Sequence, residues 1–226
     1  MSSAVATQTP DLLLAVAERL FAEHGVDEVS LAQINREAGQ RNRSAINYHF
    51  GSKQRLLLAI LERHEEGLER EQHRLLEELE RAGRVGVREV AGALVEPLAA
   101  KLDDPEGGHA YLQIVSQLVG HPRLSLYERH VATITARSDR VARLFAKARN
   151  TLGTELWTAR SLLVTGLLYH SLADYARLSR SDATRVPLPS ARIFVEGLID
   201  GITALIEAPV TDVEKRARGR RTSPRH

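Results

Sequence analysis

The chain has 226 residues, 43% of them hydrophobic and 4% aromatic, and a formal net charge of +2. This composition supports a real core and excludes both wholesale disorder and a uniformly basic nucleic-acid coat. The lack of cysteine excludes disulfides, thiolate zinc sites and a cysteine nucleophile. The N-terminus has no signal-peptide pattern, and the longest uncharged apolar run, Ser161 to Ala173, is well below the ~20 residues that span a bilayer. The expectation is a soluble cytoplasmic protein with no membrane partner.

Apolar residues recur at spacings of three and four, and strand-like alternation is scarce, which predicts an all-α fold of about nine helices. The first helix is expected to begin at "TPD", with Thr9 as cap and Pro10 at the first helical position. Leu13, Val16, Ala17, Leu20 and Phe21 form its apolar stripe, and His24–Gly25 ends it. The second starts at Ser30, where Ser30 and Gln33 fit a capping box and Val29 and Ile34 a hydrophobic staple, and it stops at Gly39. The turn "GQR" leads to Asn42, the cap of a third short helix ending near Phe50. After Gly51, Ser52 caps a long helix from Lys53 to about Arg81.

Five further helices are expected at roughly Val87–Leu102, Gly108–Gly120, Ser125–Asn150, Thr154–Ser179 and Ser190–Ala208, separated by stretches rich in Gly or Pro. The polar, basic end of the chain predicts a flexible tail. The resulting division is an N-terminal helix-turn-helix domain (1–52), a C-terminal helical domain (53–208) and the tail (209–226).

Two short helices around a tight Gly-containing turn make a helix-turn-helix pattern. On the second, Ala45, Ile46 and Phe50 can face inward, leaving Arg43, Ser44, Asn47 and Tyr48 outside. Arg pairs with guanine, Asn with adenine and Ser with either, so this face suits the major groove of double-stranded DNA. Tyr48, His49 and Lys53 can donate to phosphate, and the helix starts at Ser30 and Lys53 offer free amides to an anion. The same face also fits a merely solvated, cationic surface.

The stretches "LFAEHGVDEVSLAQINREAG" and "NYHFGSKQRLLLAI" resemble the DNA-binding domain of the tetracycline-repressor (TetR) family of bacterial transcription regulators. The triplet Tyr48-His49-Phe50 followed by Gly51-Ser52-Lys53 is the most specific part. The resemblance implies an all-helical dimeric repressor that leaves its palindromic operator when a small molecule enters the C-terminal domain. By position it implies phosphate contacts from Ser30, Tyr48, His49 and Lys53, and places Arg43, Ser44, Ala45 and Asn47 at or near base edges. Two departures stand out: the turn after Gly39 is one residue longer than the common pattern, and Asn47 stands where many members have an aromatic.

The last two helices are apolar over more than one face, which calls for cover on two sides. A two-fold dimer through Leu167, Phe194, Gly197, Leu198, Gly201, Ile202 and Leu205 supplies it, with Gly197 and Gly201 allowing close approach. A single large monomeric core is the competing explanation. Polar and aromatic residues scattered among apolar ones nominate an effector pocket at Tyr111, Gln117, Tyr127, Trp157 and Tyr169, suited to a fairly hydrophobic small molecule. The acidic run "ERHEEGLEREQHRLLEELE" reads as a solvated face with pairs at i, i+4.

No nucleophile elbow, phosphate-binding glycine loop or HExxH occurs, and none of the nine histidines stands three or four residues from another. An enzyme, a metal site and a cofactor are therefore not expected. The other alternative is a helical small-molecule-binding or adaptor protein that has lost specific DNA binding.

Overall fold

The computed structural model describes residues 2–39, 45–83, 85–119, 140–148, 153–181 and 187–210. All regular structure among them is helical: α1 (Ser2–His24), α2 (Leu31–Glu37), α3 (Ala45–His49), α4 (Lys53–Ala82), α5 (Val87–Ala99), α6 (Gly108–Leu118), α7 (residues 140–148), α8 (Thr154–Leu178) and α9 (Ala191–Glu207). A single 3-10 turn, Ala100–Leu102, extends α5.

Helix α1 departs from its expected start. It reaches back to Ser2 and carries Pro10 inside it. Proline has no N–H to offer the carbonyl four residues earlier, which is why it reads as a first-turn residue. The preceding "SSAVATQ" contains no breaker, and the helix runs through at the loss of that one bond. The apolar stripe is as expected: Leu13, Ala17, Leu20 and Phe21 are fully buried. Gly25, at φ 97, ends the helix in a conformation that side-chain-bearing residues rarely adopt.

Helix α2 is capped by Ser30, whose Oγ accepts from the Gln33 amide at 3.2 Å. Only this arm of the capping box forms, because the Gln33 side chain bonds Glu37 instead. Val29 and Ile34 are both buried at the staple positions. Ser52 caps α4 by accepting from the Arg55 amide at 3.2 Å. With 30 residues, α4 extends over ~45 Å and passes from the N-terminal domain into the C-terminal one.

In the C-terminal domain α5 packs against α4 and α9, α6 packs against α8 and back onto α1, and α8 packs against α9. One continuous apolar core joins both domains. Polar clasps fix the ends of the last helices. Arg160, buried on α8, donates to the carbonyls of Ile206 at 2.8 Å and Pro209 at 3.4 Å, satisfying the end of α9. Arg88 of α5 bonds Glu196 at 2.6 Å and also Asp200, both on α9. Among the described residues no helix is long and apolar enough to cross a membrane.

Most of the helix expected over Ser125–Asn150, and all of the expected tail beyond residue 210, lie outside the described residues.

Candidate nucleic-acid interface and effector cavity

Helix α3 is anchored by Ile46 and presents its following residues outward. Ile46 is fully buried and Phe50 half-buried, while Asn47, Tyr48 and His49 are exposed. Tyr48 is 83% exposed, unusual for so large an aromatic, and its ring meets His49 edge-on at 5.0 Å. Packing does not account for that outward row of an amide, a phenol and an imidazole. Ala45 opens the helix; Arg43 and Ser44 lie outside the described residues.

The flanking phosphate candidates differ in state. Ser30 is exposed, and its Oγ accepts the cap bond, so its O–H remains available to donate. Lys53 instead folds back: its Nζ donates to the Asp27 carbonyl at 3.0 Å and lies 5.8 Å from the centre of the Phe21 ring. Burial pushes its pKa below the usual lysine value, with Asp27 and Glu28 pulling the other way. Arg19 of α1 bridges to Glu37 of α2 at 2.7 Å, which holds the Glu37 carboxyl below its ordinary range.

The boundary with the C-terminal domain is polar and specific. Buried Glu18 on α1 meets buried His64 on α4, with Oε1 and Nε2 2.6 Å apart. Lys101 lies 3.1 Å from His64 Nδ1 and bonds Asp104 at 2.7 Å. Gln117, expected in the effector pocket, is not there. Its Oε1 accepts from the Val26 amide at 2.8 Å and its Nε2 donates to the Phe21 carbonyl at 3.1 Å. Those two backbone groups at the end of α1 hold the side chain, so Gln117 ties α6 to the end of α1.

Three other pocket residues do converge. Tyr111, Trp157 and Tyr169 line a partly open cavity of about 130 Å³ bordered by α4 to α9. Tyr127 lies outside the described residues. Sequence reasoning missed Phe145 and Gln72, which also line it. Gln72 had a signal, since it continues the buried stripe Leu61, His64, Leu68 and Leu76 of α4. The run containing it is solvated on its other faces, where Arg74 pairs with Glu71 and Glu78 at 2.6 and 2.7 Å.

The expected dimer residues divide. Leu198 and Ile202 are buried within the chain's own core, where α9 packs on α5 and α8, and so are not free to meet a second copy. Phe194 stacks on Tyr175 at 4.3 Å, and Leu205 is half-buried. A side chain at Gly201 would meet Leu167 of the same chain at 3.6 Å, whereas Gly197 faces open space. Leu167 remains exposed, and Leu162, Leu163 and Ile193 join it as large exposed apolar residues on α8 and α9.

Residues 13–60 match the family described as bacterial regulatory proteins, tetR family. Over 94 residues the chain is 32% identical to the HTH-type transcriptional repressor AcnR of Corynebacterium efficiens; the alignment covers 42% of this chain and spans 40% of that repressor's length. The fold is similar to that of NalD, the secondary repressor of the MexAB-OprM multidrug efflux pump in Pseudomonas aeruginosa, at 24% identity and a TM-score of 0.58, covering 87% of this chain and 94% of that one. It is also similar to a Rhodococcus sp. protein placed among the TetR-family regulators, at 16% identity and a TM-score of 0.50, covering 87% of this chain and 99% of that one. Residues 13–60 of this chain are thus similar to the TetR family of bacterial regulators, and they are carried on an all-helical two-part fold of the kind seen in those structures.

Proposed function

We propose that this protein is a transcriptional repressor that binds a palindromic operator as a homodimer and lets go when a small, fairly hydrophobic effector fills the C-terminal cavity. The observation that carries the reading is α3: Ile46 anchors it while Asn47, Tyr48 and His49 stand clear of the protein, inside a domain matched to DNA-binding regulators. Asn47 is assigned to a base edge beside Arg43, Ser44 and Ala45, and Ser30, Tyr48 and His49 to phosphates. Lys53 supports the α1–α2 loop and adds positive charge beside the groove. The relative AcnR, a repressor, favours repression over activation.

A dimer through the exposed side of α8 and α9 accounts for Leu162, Leu163, Leu167 and Ile193, an apolar group that one chain leaves uncovered. It also supplies the two recognition helices that a palindrome requires. Effector entry is coupled to DNA through α4 and α6, which carry cavity residues at one point and contacts to α1 at another. An effector shifts the equilibrium only by as much as it prefers the DNA-free geometry.

The test is binding to fragments of the host genome over a range of salt. The account expects selected fragments to be retained, with affinity falling steeply as salt rises. Indifference to every duplex would instead favour a helical small-molecule-binding module without DNA.

A further inference from the structure

We propose that the cavity takes an uncharged, single-ring aromatic molecule bearing one neutral hydrogen-bonding group, a phenol or a compound like it, and that Gln72 reads that group. This names the ligand class of the effector site assigned above and depends on that assignment only for its regulatory consequence.

Size comes first. At about 130 Å³ the space is near that of an engineered apolar cavity of about 150 Å³ that holds one benzene. The walls then select for a ring. Tyr111, Phe145, Trp157 and Tyr169 gather around it, in a chain where aromatics are only 4% of residues. Phe145 and Trp157 stand 6.1 Å apart at 51°, the offset, tilted arrangement into which another ring packs.

Charge is selected against. No described lining residue is ionisable as an acid, lysine or arginine. Arg160, beside the lining residue Ser161, is committed to the carbonyls of Ile206 and Pro209. An anion would lose its water with no described cation facing it. Aromatic walls can attract a cation, but no described lining residue is an acid that could pair it once it has lost its water.

The polar part of the lining is neutral: Gln72, Ser161, Thr165, whose hydroxyl donates to the Ser161 carbonyl, and the tips of Tyr111, Trp157 and Tyr169. Gln72 is only 8% exposed and borders the cavity. An amide on a largely apolar wall favours a ligand that pairs it. It both donates and accepts, so a neutral hydroxyl or carbonyl satisfies it. Gln72 lies on α4, the helix that begins next to α3, so a ligand held by this amide is held by the element that positions the recognition helix.

Trp157 is the single tryptophan of the chain, so its fluorescence reports the cavity without a label. The full-length protein, free of DNA, would be titrated with para-cresol, toluene, para-toluate and para-methylbenzylammonium. We expect saturable quenching or a spectral shift with para-cresol, at roughly tenfold higher affinity than toluene, and no saturation with either ion. In Gln72→Leu, which continues an apolar stripe and so keeps the fold, toluene should bind at least as well and the cresol preference should vanish. Tighter binding of either ion, no saturation with any of the four, or an unchanged cresol preference in Gln72→Leu would overturn the assignment. If para-cresol fails while the protein still retains genomic fragments, only the ligand class is lost. If para-cresol binds and no duplex does, the regulator reading is lost instead.

Discussion

His64 on α4 and Glu18 on α1 form a buried pair, 2.6 Å from nitrogen to oxygen, at the boundary between the two domains. The ammonium of Lys101, 3.1 Å from the other ring nitrogen, has only donors, so Nδ1 accepts and the ring proton sits on Nε2, aimed at Glu18. Gly107 makes room for this. A side-chain carbon there would lie 2.6 Å from Glu18 Oε1, and its backbone holds φ 97. The Tyr111 ring, one wall of the cavity, packs on His64 at 4.8 Å. Cavity and α1 are thus separated by two side chains in direct contact.

Removing the carboxylate tests that link. Glu18→Ala leaves the His64 N–H without its partner in a dry site and should cost about 2 kcal/mol in urea unfolding, while Glu18→Gln, which keeps an oxygen acceptor, should recover much of it. Equal stability of Glu18→Ala and wild type would mean the pair is incidental.

Asp104 should give the boundary an acid-sensitive component. The Lys101 hydrogen bond, helped by the Glu106 amide at 2.8 Å, holds its carboxyl below the ordinary range. A carboxylate with a depressed folded pKa stabilises fully above its unfolded value, about 4, and that stability is lost as pH falls through the lower folded value. Asp104→Asn should therefore be less stable than wild type by a constant margin at neutral pH, with the two curves converging in acid. Parallel curves down to the acid limb would contradict this.

Gln117 should matter for docking the domains and not for the ligand. Gln117→Leu leaves the Val26 N–H unpaired and takes from the Phe21 C=O its second donor, the Gly25 amide at 3.1 Å remaining, a loss of about 1–3 kcal/mol. Hydrogen exchange at the Val26 amide should quicken while para-cresol binding stays as in wild type. A change in cresol affinity with unaltered Val26 exchange would return this residue to the pocket.

The exposed and buried residues of α8 and α9 should separate under mutation. Leu163→Glu with Ile193→Glu should yield well-folded monomers by sedimentation, since both side chains are exposed. Leu198→Ala should instead destabilise each protomer by about 2–5 kcal/mol, as a cavity in its own core. Dimers that persist through the double charge substitution would place the interface elsewhere.

Helix caps and stripes were legible because their causes are local. Ser30 and Ser52 cap as their spacing requires, and the ends of α4, α6, α8 and α9 fall within about two residues of expectation. Pro10 misled because nothing near it shows that the helix continues upstream. Gln117 misled for a tertiary reason: its partners are about ninety residues away in the chain and are backbone atoms, which no side-chain pattern reveals. Leu198 and Ile202 are apolar for either partner, protomer or copy, and only the packing of α9 on α5 and α8 decides between them. The polar members of the α4 stripe, His64 and Gln72, were visible as exceptions in a buried register, but a run so rich in acids draws attention to its solvated faces.

The most direct test of the central claim is selection of bound sites from a random duplex library by wild type and Asn47→Ala in parallel. The account predicts a two-fold symmetric motif with half-sites one helical turn, roughly 34–36 Å, or a multiple of it apart. It also predicts that Asn47→Ala relaxes one base position in each half-site, a change of about 1–3 kcal/mol, and leaves the others as they were. No enriched motif, or an equal loss on every sequence in the variant, would contradict the assignment of α3 to base reading.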